Sequence, residues 1–150
     1  MMLSLIKFLH VTCGVSFFGI IIATFFYISR SINTQDRSLI NYSIKISYLW
    51  DVIILFCILV QALTSIPLVS VGHLTLDVPW IFVAYHAFGM LTIFWLFTVF
   101  IKRFYFSKAN IPAYSIKIFY VLNIFMILTF IIIIHDAVTQ STGLEFLFRK

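Results

Sequence analysis

Four apolar runs, Leu3–Ile28, Ile46–Val71, Trp80–Ile101 and Ile118–Val138, constrain this chain more than any other feature in it. A bilayer core about 30 Å thick is crossed by roughly 20 helical residues, and each run reaches that length. The rest of the chain is too small and too sparingly charged to turn them into the core of a water-soluble globule. Of 150 residues 63% are hydrophobic and 10% charged, where soluble domains carry about 25% charge and still expose about 30% of the surface of the unfolded chain. Transmembrane strands are disfavoured, because stretches such as Phe130–Ile134 lack the alternation of a barrel wall and a few strands cannot close one. Met1–Ser29 holds Lys7 as its one basic residue before Arg30 and has no A-x-A cleavage pattern, so the first run is expected to stay as a helix.

The intervening segments, Ser29–Lys45, Gly72–Pro79 and Lys102–Lys117, are short. Short connections make sequential helices antiparallel neighbours. The expected fold is therefore an all-α membrane protein, a four-transmembrane up-down-up-down bundle in a single domain over residues 1–150. Arg30, Arg37 and Lys45 fall in the first connection and Lys102, Arg103, Lys108 and Lys117 in the third, whereas the second has Asp77 and no basic residue. The positive-inside rule then puts both basic connections in the cytoplasm and both termini on the outer, periplasmic side, as in a multi-pass protein of a bacterial inner membrane. Lys7, Arg149 and Lys150 run against that assignment. The basic excess thus reads as an orientation signal, and nucleic acid is excluded as a partner. After Gly143 the chain ends in an amphipathic tail expected to lie on the outer surface.

Polar groups within a bilayer are costly, which makes each one a functional hypothesis. In the expected topology His10, His86 and His135 enter from the outer side of three different helices at similar depth, and His73 lies in the outer loop. Gln61, Thr64 and Ser65 offer a polar patch on one face of the second helix. Facing imidazoles are how bundles hold cofactors, and a b-type haem asks for one or two axial histidines and a large apolar slot. Gly14 follows His10 by four residues and Gly89 follows His86 by three, giving each histidine a bare backbone patch on nearly its own face. Phe17, Phe18, Phe82 and Tyr85 would wall such a slot, Lys7 would reach a propionate, and His10 with His86 would be the axial pair. His135 would stand beside that haem, or join His73 on a second. The same four histidines would equally suit copper or zinc without haem, or simply hydrogen-bond between helices.

Other polar positions read as structural. Asp51 is expected to form an ion pair with Arg30 or Arg103, Asn123 to bond between helices, Trp50 and Trp80 to anchor at the interfaces, and Trp95 to pack. Cys13 and Cys57 lack metal-ligand spacing and read as small buried hydrophobes. No phosphate-binding loop, nucleophile triad or paired carboxylate is present, which leaves redox chemistry as the expected class.

Leu5-Ile6-Lys7-Phe8-Leu9-His10-Val11, followed by Phe17-Phe18-Gly19, resembles the L-K-x-L-H-V and W-x-G-G opening of several small bacterial membrane families. These are predicted four-helix integral membrane proteins of unassigned function, HemJ-type protoporphyrinogen oxidases and the copper-resistance CopD domain. Gln61-Ala62-Leu63-Thr64-Ser65 is similar to the Q-x-L-T-G of the first of these, and Pro79-Trp80 to the P-W that opens its third helix. Phe17, Ile20 and Ser65 depart from that pattern, and the L-M-x-x-K-P ending is missing. The resemblance implies that His10 is associated with haem, as in the HemJ family. Together with the histidine layer it leads to an expected b-type haem-binding membrane cytochrome moving electrons near the periplasmic face. Its partners would be the lipid bilayer, a quinone or quinol donor and further copies of the chain; porphyrinogen oxidation is a special case.

Overall fold

The computed structural model describes residues 2–71, 78–108 and 110–140. Helix α1 spans Met2–Asn33, α2 Arg37–Val71, α3 Pro79–Ile101 and α4 Ala113–Thr139, with a π-helical turn, Lys102–Phe106, continuing α3. No strand occurs among the described residues. All four helices are long and apolar enough to cross a membrane, with only 22 to 28% of each apolar window buried inside the fold. The remaining apolar surface, including Phe8, Phe26, Leu55, Phe97 and Ile131, faces outward on every helix. Such a surface is stable against lipid and not against water. The chain is a multi-pass membrane protein.

Helical structure overruns the expected first connection. Ser29–Lys45 is helical except at residues 34 to 36, because the turn supplies its own capping groups. Gln35 adopts a left-handed φ of 57°, and Thr34 donates its hydroxyl to the carbonyl of Ser31 at 2.7 Å. Asp36 then caps α2: one carboxylate oxygen accepts from the Ser38 amide at 2.8 Å, the Ser38 hydroxyl at 2.9 Å and the Leu39 amide at 3.4 Å. These are the amides a helix start leaves unpaired. At the far end of α3, Arg37 donates to the carbonyls of Phe106 and Lys108, so the start of α2 secures the end of the π turn.

Each helix buries one narrow stripe at the spacing a helix requires. On α1 it runs through Cys13, Phe17, Ile21 and Ile28, and on α4 through Ser115, Phe119, Asn123, Met126 and Phe130. Helix α1 packs along α2 and α3 along α4, α1 also meets α4, and α2 meets α3 over a short stretch. The stripes form two apolar clusters. One gathers Cys13 and Phe17, Ile54 and Cys57, Leu91 and Trp95, and Met126 and Phe130 from the four helices. The second joins Ile28, Ile40, Ile44, Ile101, Phe106 and Phe119. Phe17 meets Phe130 edge to face with ring centroids 4.9 Å apart, and Phe25 meets Phe119 at 6.3 Å. Both cysteines are buried free thiols, in line with their reading as small hydrophobes.

Candidate functional sites

Beyond one end of the first cluster, the buried stripes of α1 and α2 turn polar. His10 continues the line of Cys13 and Phe17, and Gln61 and Thr64 continue that of Ile54 and Ile58. The Gln61 amide donates to the backbone carbonyl of His10 at 2.5 Å. Gly14 makes this possible, since a Cβ there would lie 2.8 Å from the Gln61 amide nitrogen. The bare backbone expected to receive a flat cofactor at Gly14 is thus occupied by a side chain of α2. Gly89 is exposed, with open space where a Cβ would stand.

The half-buried ring of His10 lies with Nδ1 2.8 Å from the Thr64 hydroxyl. That hydroxyl donates its single proton to the carbonyl of Val60 at 2.6 Å. With its proton on Val60, the Thr64 hydroxyl accepts from Nδ1 of His10, the tautomer in which Nε2 keeps a free lone pair. The same logic applies to the other two described histidines. His86 donates from Nδ1 to the carbonyl of Phe82 at 2.8 Å, and His135 donates from Nδ1 to the Asp136 carboxylate at 3.1 Å. A histidine that serves as a ligand through Nε2 is held in this way by its other nitrogen.

The structure joins His10, Gln61 and Thr64 but does not draw the three histidines into one group. His86 lies on an exposed face of α3, stacked on Phe82 at 4.1 Å. His135 is exposed while its neighbour Asp136 is fully buried. Among the described residues no three His, Cys, Asp or Glu side chains converge as a metal site. Lys7 is exposed on α1, and Tyr85 reaches the Ser65 hydroxyl at 3.2 Å, tying α3 to α2 near this end. His73 and the amphipathic tail after Gly143 lie outside the described residues.

A second polar group lies between the two apolar clusters. Asp51 on α2 takes Lys102 as its partner, in place of Arg30 or Arg103: Nζ donates to both carboxylate oxygens, at 2.7 and 2.6 Å. Trp95 donates its indole N–H to the same carboxylate at 3.3 Å. Asp51 is 8% exposed and Lys102 2%. Lys102 thus leaves the tally of connection charges that sets orientation. Lys102 follows Thr98 by four residues and Trp95 by seven, which places it on the stripe that α3 buries. Asn123, expected to bond between helices, donates to the carbonyl of Phe119 on its own helix at 2.8 Å.

No family model matches the chain, and no curated protein or solved structure matches it either.

Proposed function

We propose that this protein is a membrane-embedded, b-type haem-binding electron-transfer protein in which His10 offers Nε2 to the iron. The carrying observation is the contact of His10 Nδ1 with the Thr64 hydroxyl, which is itself bonded to Val60, an arrangement that favours the tautomer with Nε2 open. Haem supplies one-electron redox chemistry when bound and asks the chain for as little as one imidazole, the rest being apolar contact. His10 sits among apolar helices, and His86 offers a second free Nε2 on α3. Gln61 holds the His10 backbone in place, and Thr64 holds the ring. With Gly14 covered by Gln61, the open side of His10 is the one remaining for a macrocycle, away from the α1–α2 seam.

The same reading includes an up-down-up-down topology. In its support, Phe17 pairs with Phe130 and Phe25 with Phe119, an order that reverses along α4 as α1 advances. Arg30, Arg37, Lys45, Arg103, Lys108 and Lys117 still concentrate in the two basic connections, which favours termini on the outer side of a bacterial inner membrane. A quinol in the bilayer is the donor that this placement suits. The test is a reduced-minus-oxidised visible spectrum of the purified protein expressed with haem in excess. A shifted Soret and α band in the native chain, lost in His10→Ala, is the expected result; an unchanged spectrum on reduction refutes the proposal.

A further inference from the structure

The Asp51 and Lys102 pair borders a void of about 10 Å³ in the middle of the bundle, lined on its polar side by Thr24, Asp51, Thr98, Lys102 and Asn123. That volume is at the lower limit for a single water, and such a water needs two to four polar partners. Thr24 supplies the second observation. Thr64, Thr92, Thr98, Thr129 and Thr139 each return their hydroxyl to a carbonyl of their own helix. The Thr24 hydroxyl oxygen is buried with no hydrogen-bond partner among the described residues. A hydroxyl left in that state costs about 1–3 kcal/mol.

Asp51 has capacity to spare. Oδ1 accepts from both Lys102 and Trp95, whereas Oδ2 accepts from Lys102 alone. A carboxylate offers about four lone-pair positions. The chemistry of the occupant follows from the two charges at the wall: the ammonium repels a cation, the carboxylate repels an anion, and a neutral dipole suits both. The π-helical turn begins at Lys102 itself, and an inserted turn of this kind is often found where a helix builds a functional site.

We propose that this void binds one ordered water molecule, which accepts from the Thr24 hydroxyl and donates to Oδ2 of Asp51, completing a hydrated charged centre inside the bilayer. The water links α1 to the α2–α3 ion pair, which otherwise has no polar tie to that helix among the described residues. This site is independent of the haem reading.

Two measurements decide it. In infrared spectra of the full-length protein in lipid, exchange into water labelled with heavy oxygen should shift a weakly bonded O–H stretch. That band should vanish in Thr24→Val and persist in Thr24→Ser. Thermal unfolding provides the opposing signs: a dry void makes Thr24→Val neutral or stabilising, because it removes an unpaired hydroxyl. A bound water makes the same change lower Tm by about 2–4 °C. Absence of an isotope-sensitive band in the native protein, or a Thr24→Val variant melting at or above it, overturns the proposal.

Discussion

The two polar groups of this bundle solve the same problem in different ways. At the His10 end, neutral side chains are satisfied by backbone carbonyls and by one another: Gln61 on the His10 carbonyl, Thr64 on that of Val60, His10 on Thr64. His10 keeps one nitrogen free there, as do the exposed His86 and His135 on their own helices. Around Asp51, full charges are enclosed at 8 and 2% exposure, and each is stable only because the other is present. The first arrangement leaves chemistry available at its edge. The second spends its polar capacity internally and fastens α2 to the end of α3.

Breaking that fastening should have the largest effect. Asp51→Asn or Lys102→Met alone strands a buried charge and should lower stability by about 3–5 kcal/mol, whereas the pair of substitutions together should restore most of it. Unfolding in lipid-like micelles followed by circular dichroism checks this; a loss in the double variant equal to the sum of the two single losses would mean that the charges act separately. At the His10 end, Gly14→Ala should cost about 0.5–1.5 kcal/mol, since its Cβ would meet the Gln61 amide nitrogen at 2.8 Å and push that side-chain end off the His10 carbonyl. Gln61→Ala should relieve that clash, so that the double variant loses less than the sum of the singles. A Gly14→Ala protein as stable as the native one would show that the Gln61 side chain yields there without loss.

The smallest effect belongs to the exposed turn, outside both groups. The Ser38 hydroxyl, followed by the amides of Ser38 and Leu39, holds the Asp36 carboxyl below its ordinary value of 3.8. A depressed folded value means that this cap contributes fully above the ordinary pKa, and the contribution fades as pH falls through the lower folded value. An NMR titration of Asp36 should give a midpoint below 3.8, and Ser38→Ala should move it back upward. A native midpoint at the ordinary value would mean that the cap forms no lasting bond.

Much of the architecture was legible in the sequence, because lipid imposes a simple rule. Runs such as Ile46–Val71 must become helices when no water is available to the backbone, and all four did. The buried stripes were not: Phe17 and Ile21, or Met126 and Phe130, fall at helical spacing, but so do apolar residues on the other faces of the same helices. His10, Gln61 and Thr64 could be singled out as polar groups in apolar surroundings, and two are joined directly to His10. Their detailed roles were not legible. Gly14 looked like room for a ligand, yet the space beside it is filled by Gln61, which lies far away in the chain. His86 looked equivalent to His10, but the face it occupies on α3 is exposed. Such differences depend on how each helix is rotated about its axis, and a stretch that is apolar all round carries little information about that angle.

Lys102 marks the boundary between the two kinds of knowledge. Composition and hydropathy by themselves determined that the solvent is lipid, that the chain crosses it as helices, and that any charge within those helices must find a partner. They placed Lys102 one residue beyond an apolar run, where a lysine ordinarily serves as a connection charge. Only the tertiary structure decided that the π turn and the approach of α2 carry it inward to Asp51. The physical reason is that hydropathy acts residue by residue along the chain, whereas compensation of a buried charge is a property of two helices at once.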